Sequence, residues 1–321
     1  MRTFRRILPI AVLVILVIAP VASGNPFYQR IAALVVLAAI SASAWNVIGG
    51  FAGQISFGHS VYFGIGAYAS LLLFTKFGLP PIAGAPLGII ASFVVSVIIG
   101  PPTFRLRGHY FSMGTFAIAA LAEILVVNWK FAGGAIGIMG PAMPRTLADL
   151  LFRNSLPYYA IFLVVLAILL GLTHLMQRSR MGFYLRAIGA GERAAESLGV
   201  PVQRYKLYAL LISGAFTALA GSLYAVMIGF VDPDSGFGIL ISVNMVVVAA
   251  LGGVGTLFGP LVGAIILVPL QETTNAILGG SGTGAAYVAY GLIIMLIARF
   301  SPGGLAEIWT HIFRRRARRA A

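Results

Sequence analysis

The sequence predicts an all-α integral membrane protein. It reads as a polytopic bundle of about 10 transmembrane helices, with 8–10 as the range, and one short cytoplasmic helix between spans. Three observations predict this class. Hydrophobic residues fill 60% of the 321 positions and charged residues 9%, against about 25% charge in soluble domains. Mean hydropathy is +0.98, and a fold that must be wetted on its outside cannot hide so much apolar surface. Apolar runs near the ~20 residues needed to cross the hydrocarbon recur along the whole chain. They leave no soluble domain of useful size, so residues 1–321 are expected to form a single transmembrane domain.

The expected spans are 7–23, 31–50, 61–78, 83–101, 110–128, 157–176, 207–230, 238–251, 257–278 and 285–300. The 238–251 run is short and bounded by glycines, which makes it the weakest of the ten. The start has a second reading. Arg5 and Arg6, the apolar run from Ile7 to Ala19 and the small residues Ala22, Ser23 and Gly24 also resemble a cleavable signal peptide. Cleavage would leave nine spans and an external N-terminus.

Charge placement fixes the expected orientation. With both termini in the cytoplasm, 17 of the 22 basic residues lie inside, including Arg105, Arg107, Arg178, Arg180, Lys206 and the run Arg314–Arg319. Arg30, Lys76, Lys130, Arg145 and Arg153 remain outside. This is the positive-inside bias of a multi-pass membrane protein. It explains the net charge of +14 without nucleic acid, and the terminal arginines suit anionic lipid headgroups. Phe27, Tyr28, Trp129, Tyr158 and Tyr159 flank spans and read as headgroup anchors in preference to ligand contacts.

Enzyme chemistry finds no support. The chain has no cysteine, and its four histidines show no metal-ligand spacing. HExxH, GxSxG and Walker A signatures are absent, so no metal or cofactor is expected. If ATP drives this protein, another subunit must bind it.

Polar residues within the apolar runs are few: Asn46, Gln54, Glu123, Asn244, Gln271 and Glu272. An acid at the bilayer centre costs about 2.5–3.5 kcal/mol on insertion scales, so each should face the bundle interior. They can line a watery path or relay a proton, or they can make interhelical hydrogen bonds and snorkel to an interface. His59, near an interface, reads as a structural hydrogen-bonder.

Gly255, Gly259 and Gly263 recur every four residues, and Gly49 and Gly53 repeat that spacing. On a helix such glycines make a smooth face for close backbone approach. The alternative is a non-helical re-entrant turn, which is tolerated only where protein or water covers the backbone. The blocks GGFAGQISFG and GGVGTLFG follow spans two and eight, which run in the same direction and hint at a parallel repeat.

Residues 178–206 form the long internal loop. Gly191 and Gly199 bracket Glu192-Arg193-Ala194-Ala195-Glu196-Ser197-Leu198, which reads as a two-turn helix. Gly199 should stop it and Pro201 should prevent its resumption. Glu192 and Glu196 share one face, while Ala194, Ala195 and Leu198 can form a small apolar face. Such a helix fits a groove on a partner, or rests on the membrane surface.

Arg193-Ala194-Ala195-Glu196-Ser197-Leu198-Gly199 resembles the EAA-x-x-x-G loop of ABC importer permeases, with arginine in the usual glutamate position. The stretches Gly49–Ser70, Arg107–Ile124, Arg178–Val200 and Met245–Ala264 together resemble the branched-chain amino-acid permease family, LivM type, over nearly the whole chain. The resemblance implies a permease subunit that moves branched-chain amino acids, or related small polar solutes such as urea or amides, across a bacterial plasma membrane. It further implies a second homologous permease, two cytoplasmic ATPase subunits docking on residues 191–199, and an external solute-binding protein. A self-contained secondary transporter or channel, coupled through Glu123 and Glu272, is the rival expectation.

Overall fold

The computed structural model describes residues 24–140, 152, 154–278, 291 and 295. The first described helix, α1 (Pro26–Asn46), opens on Asn25, whose side chain accepts from the Phe27 amide, with Pro26 at the first helical position, where its missing N–H costs nothing. α1 runs into a π-helical turn at Val47–Phe51. α2 (His59–Phe77) ends on Gly78 in the left-handed conformation, and α3 (Pro81–Thr103) follows directly. α4 (His109–Val127) leads to two 3-10 turns and the two-residue strand β1 (Ile138–Met139).

α5 (Ser155–Arg178), α6 (Arg180–Ala190) and α7 (Glu192–Ser197) are separated by single residues. α8 (Val202–Ile228) stops at left-handed Gly229. β2 (Phe230–Val231) pairs antiparallel with β1 in the register Ile138 with Val231 and Met139 with Phe230. α9 (Pro233–Phe237), α10 (Ile239–Gly252) and α11 (Gly259–Leu278) complete the described chain.

Among the described residues, seven helical segments are long and apolar enough to cross a membrane: Pro26–Phe51, His59–Phe77, Ala83–Thr103, His109–Val127, Ser155–Arg178, Val202–Ile228 and Pro233–Gly252. Each matches an expected span. α11 matches the expected 257–278 segment, but its second half carries Gln271, Glu272, Thr273, Thr274 and Asn275, and it falls outside the seven. The expected span 7–23, and with it the signal-peptide question, lies outside the described residues, and so does 285–300 apart from residues 291 and 295. Among the described residues the count is therefore seven, and the expected total of about ten is neither reached nor overturned by them.

α1 is the most enclosed of the seven and α4 the least. Around α1 the buried side chains of α5, α8, α10 and α11 form one apolar cluster, with Trp45, Phe162, Leu169 and Leu267 among its members. α2, α3 and α8 make a second close-packed group. There α2 and α8 meet backbone to backbone: a Cβ on Gly66 would lie 1.8 Å from the Ala218 carbonyl oxygen, and one on Gly221 would lie 1.9 Å from that of Phe63. Ser222 Oγ donates to the Gly66 carbonyl in the same contact, at 2.9 Å.

Two ends are distinct. Arg107 and the 178–206 segment meet at one, where Arg107 pairs with Glu196. The β1–β2 ribbon sits at the other, with Lys76 Nζ 5.7 Å above the Phe131 ring. Among the described residues, Arg107 and Lys206, expected inside, thus lie at the opposite end from Lys76, expected outside. Trp129 is 54% exposed, as an interface anchor should be, and Phe27 and Tyr28 are also exposed. Tyr158 and Tyr159 depart from that reading, because both are buried in the α1 cluster and Tyr158 Oη accepts from the Phe152 amide.

The glycine contacts are testable. Gly66→Val should destabilise beyond the roughly 1–3 kcal/mol of an over-filled core, because the obstructing atom is backbone. Gly171 in α5 has open space where a Cβ would stand, with nothing within 4 Å, so Gly171→Ala should stabilise by about 0.5–1 kcal/mol. Thermal unfolding followed by size-exclusion chromatography in detergent checks both.

Candidate functional site

The segment from Arg178 to Lys206 is almost wholly helical. Ser179, extended, breaks α5 from α6, and its Oγ donates to the Met176 carbonyl. Gly182, Leu185 and Ile188 recur every three residues and are the buried face of α6. Gly191, also extended, then opens α7.

α7 closes as a Schellman motif. The Val200 amide donates to the Ala195 carbonyl at 3.0 Å and the Gly199 amide to that of Glu196 at 2.9 Å. Gly199 has φ +81°, the left-handed conformation this cap requires. The chain resumes as α8 at Val202, with Pro201 just before its first residue. Pro201 therefore starts the next helix and does not open a long loop, and the span expected at 207 begins five residues earlier.

Both acids of α7 are anchored. Glu192 Oε1 lies 2.6 Å from Lys206 Nζ, and the Lys206 side chain is fully buried with Glu192 at 15% exposure. Lys206 also sits 5.8 Å above the Phe104 ring. Glu196 Oε2 lies 3.1 Å from an Arg107 nitrogen, where both side chains are over 40% exposed. Among the described residues these are the two ion pairs.

The expected apolar face of α7 is divided. Ala195 is buried, with Leu185, Ile188 and Val202, against Val47, Ile48, Phe51 and Ala52. Leu198 is 83% exposed, and Arg193, Ala194 and Ser197 are exposed beside it.

The second constellation is a pair of backbone breaks. Between α1 and α2 the chain leaves α-helical geometry from 47 to 58, and between α10 and α11 from 253 to 258. Gly53 and Gly255 have φ +67° and +74°. Gly255 is thus not on a helical face with Gly259 and Gly263, and Gly49 lies in the π-turn. Backbones do approach closely between α10 and α11. A Cβ on Gly263 would lie 2.0 Å from the Val248 carbonyl oxygen, and Gly252 of α10 meets the Gly259 carbonyl in the same way.

Side chains close the hydrogen bonds that the breaks leave open. Trp45 Nε1 donates to the Ser56 carbonyl at 2.8 Å. Ser112 Oγ donates to that of Ile55, and Thr115 Oγ1 accepts from the Phe57 amide. Asn46 Oδ1 accepts from the Gly255 amide at 2.8 Å, and its Nδ2 donates to the Thr256 carbonyl at 2.9 Å.

His59 is fully buried, and both of its ring nitrogens meet serine hydroxyls. Ser213 Oγ donates to the Ala44 carbonyl, so it accepts from His59 Nε2 at 2.7 Å. Nδ1 lies within hydrogen-bonding distance of Ser56 Oγ, at 3.2 Å.

Of the other interior polar candidates, Gln54 is buried, its Nε2 reaching the Ala52 carbonyl. Glu123, Asn244, Gln271 and Glu272 are partly exposed, on α4, α10 and α11. The structure brings Asn46 to the second glycine block and does not gather the rest into one site. Lys206, Ser213 and Thr256 escaped the sequence reading. Lys206 counted only as a loop cation, although its spacing to Glu192 and its place at a span boundary were visible.

Helices of this length and hydropathy around side-chain-capped internal breaks define a multi-pass α-helical membrane protein. The chain belongs to the family described as branched-chain amino acid transport system / permease component, whose model matches residues 27–298. It is 32% identical to the high-affinity branched-chain amino acid transport system permease protein LivM of Salmonella typhimurium, over 71% of this chain and 59% of that one. Identity to LivM of Escherichia coli is also 32%, over 75% and 62%. BraD of Pseudomonas aeruginosa is 24% identical over 83% and 90%. The chain thus spans about three fifths of the length of the LivM relatives it matches.

The two ion pairs should differ in weight. Removing one partner of a buried pair strands a charge and costs about 3–5 kcal/mol, whereas exposed pairs contribute about 0.2–1 kcal/mol. Glu192→Ala should therefore lower the unfolding midpoint in detergent far more than Arg107→Ala, with Glu192→Ala/Lys206→Met recovering part of the loss.

Proposed function

We propose that this chain is the transmembrane permease subunit of an ATP-binding-cassette importer. It would carry branched-chain amino acids, or related small polar solutes, into the cytoplasm. Family membership supports the class, and the names of the LivM and BraD relatives support the substrate. The sequence has no Walker A loop, so ATP hydrolysis is assigned to two separate cytoplasmic ATPase subunits. A second homologous permease and an external solute-binding protein complete the assembly. The chain sits in the bacterial plasma membrane with both termini in the cytoplasm, and 178–206 is its cytoplasmic coupling segment.

The observation that carries the coupling assignment is the build of α7. Buried Ala195 and the Glu192–Lys206 pair hold it to the bundle, while Leu198, Arg193 and Ala194 project outward. A rigidly mounted helix with an exposed tip can transmit force; a loosely tethered loop would absorb it. Residues 191–199 are therefore the proposed ATPase-docking surface, with Ala195 as its mount and Leu198 as its contact.

Purification of the tagged chain in mild detergent, with mass spectrometry of what accompanies it, tests this. ABC-type ATPases and a second permease should copurify. Leu198→Asp should shed the ATPases and leave the unfolding midpoint of the permease unchanged. A chain that emerges alone, or a Leu198→Asp variant that keeps its ATPases, would contradict the assignment.

A further inference from the structure

The two backbone breaks form one seam, and a single side chain closes it. Asn46 is 2% exposed, and both ends of its amide are used across the seam, on the Gly255 amide and the Thr256 carbonyl. Gly50 leaves the room for this: a Cβ there would lie 1.9 Å from Asn46 Oδ1 and 2.5 Å from the Gly255 nitrogen.

The other side of the same turn touches the cytoplasmic-end helices without any side chain between. A Cβ on Gly53 would lie 3.1 Å from Gly189 Cα, and one on Gly189 would lie 3.0 Å from the Phe51 carbonyl oxygen. Gly189 stands two residues before Gly191, where α7 opens, and Ala195 of α7 shares a buried cluster with Val47, Ile48, Phe51 and Ala52. From α7 to Gly255 the contacts are continuous: buried side chains around Ala195, backbone at Gly189 and Gly53, and the Asn46 amide at the seam. Packed interfaces of this kind shift between discrete arrangements and do not deform smoothly.

We propose, resting on the importer reading, that residues 46–53 relay movement of 191–199 into the solute path. Asn46 is the positioning residue that holds the 253–256 break closed until that relay acts. Replacing it frees the break from the coupling segment. ATP is then hydrolysed without matching solute movement.

The test uses the whole complex in proteoliposomes and reads ATP hydrolysed per solute taken up. Copurification of ATPases with the wild-type chain is scored first, because its failure sinks the importer reading itself. Asn46→Ala should then assemble at the wild-type subunit ratio and raise the ATP consumed per solute. A purely structural role would lower the yield of complex and leave that ratio unchanged; an unchanged ratio overturns the proposal.

If Asn46→Ala does not assemble, Asn46→Asp keeps an acceptor for the Gly255 amide and removes the donor to the Thr256 carbonyl. It should raise the ATP consumed per solute in the same way, and an unchanged ratio refutes the relay.

Discussion

A peptide group released from a helix and shut away from water must find another partner, and this constraint governs the structure. Among the described residues, the stretches 47–58 and 253–258, each joining two helices, leave helical geometry, and side chains from elsewhere in the bundle replace some of the lost partners in each. Trp45, Ser112 and Thr115 serve the first and Asn46 the second. His59 fits the same logic. Buried with Ser56 and Ser213, it ties the first break to α8 through a ring whose two nitrogens are both hydrogen-bonded. These polar residues are therefore structural before they are anything else, and any movement of the breaks has to exchange their bonds.

Glycine supplies the second half of the arrangement. Where α2 meets α8, α10 meets α11, and α6 meets the π-turn, Cβ atoms are absent and backbones touch. Without a hydrophobic driving force between helices in lipid, such close contact is a main source of association. It also makes the joints stiff. A displacement at Gly189 has no side chain to absorb it before it reaches Gly53.

Much of this was legible in the sequence because the bilayer imposes a length on every apolar run. Eight of the expected spans reappear as helices close to their expected bounds, and α7 appears between Gly191 and Gly199 as expected. The misplacements have physical causes. Four-residue glycine spacing describes a helix face only if the backbone is helical, and left-handed Gly255 is not. Tyr158 and Tyr159 looked like interface anchors because hydropathy does not record which side of a helix faces protein. Lys206 was assigned to water because a cation beside a span boundary usually is; the Glu192 that buries it lies 14 residues away on another helix. Pairings across breaks, such as Asn46 with Gly255, depend on tertiary geometry that no local pattern encodes.

The proposed function makes this chain a passive path whose power comes from elsewhere, and one measurement addresses that directly. Purified permease would be reconstituted in proteoliposomes with its copurifying subunits and an external binding protein, and uptake of labelled leucine would be followed with and without ATP. ATP-driven import predicts uptake that requires ATP and the ATPase subunits and ignores an imposed proton gradient. Uptake by this chain alone, driven by the gradient and lost on neutralising Glu123 and Glu272, would contradict it and make the protein a secondary transporter.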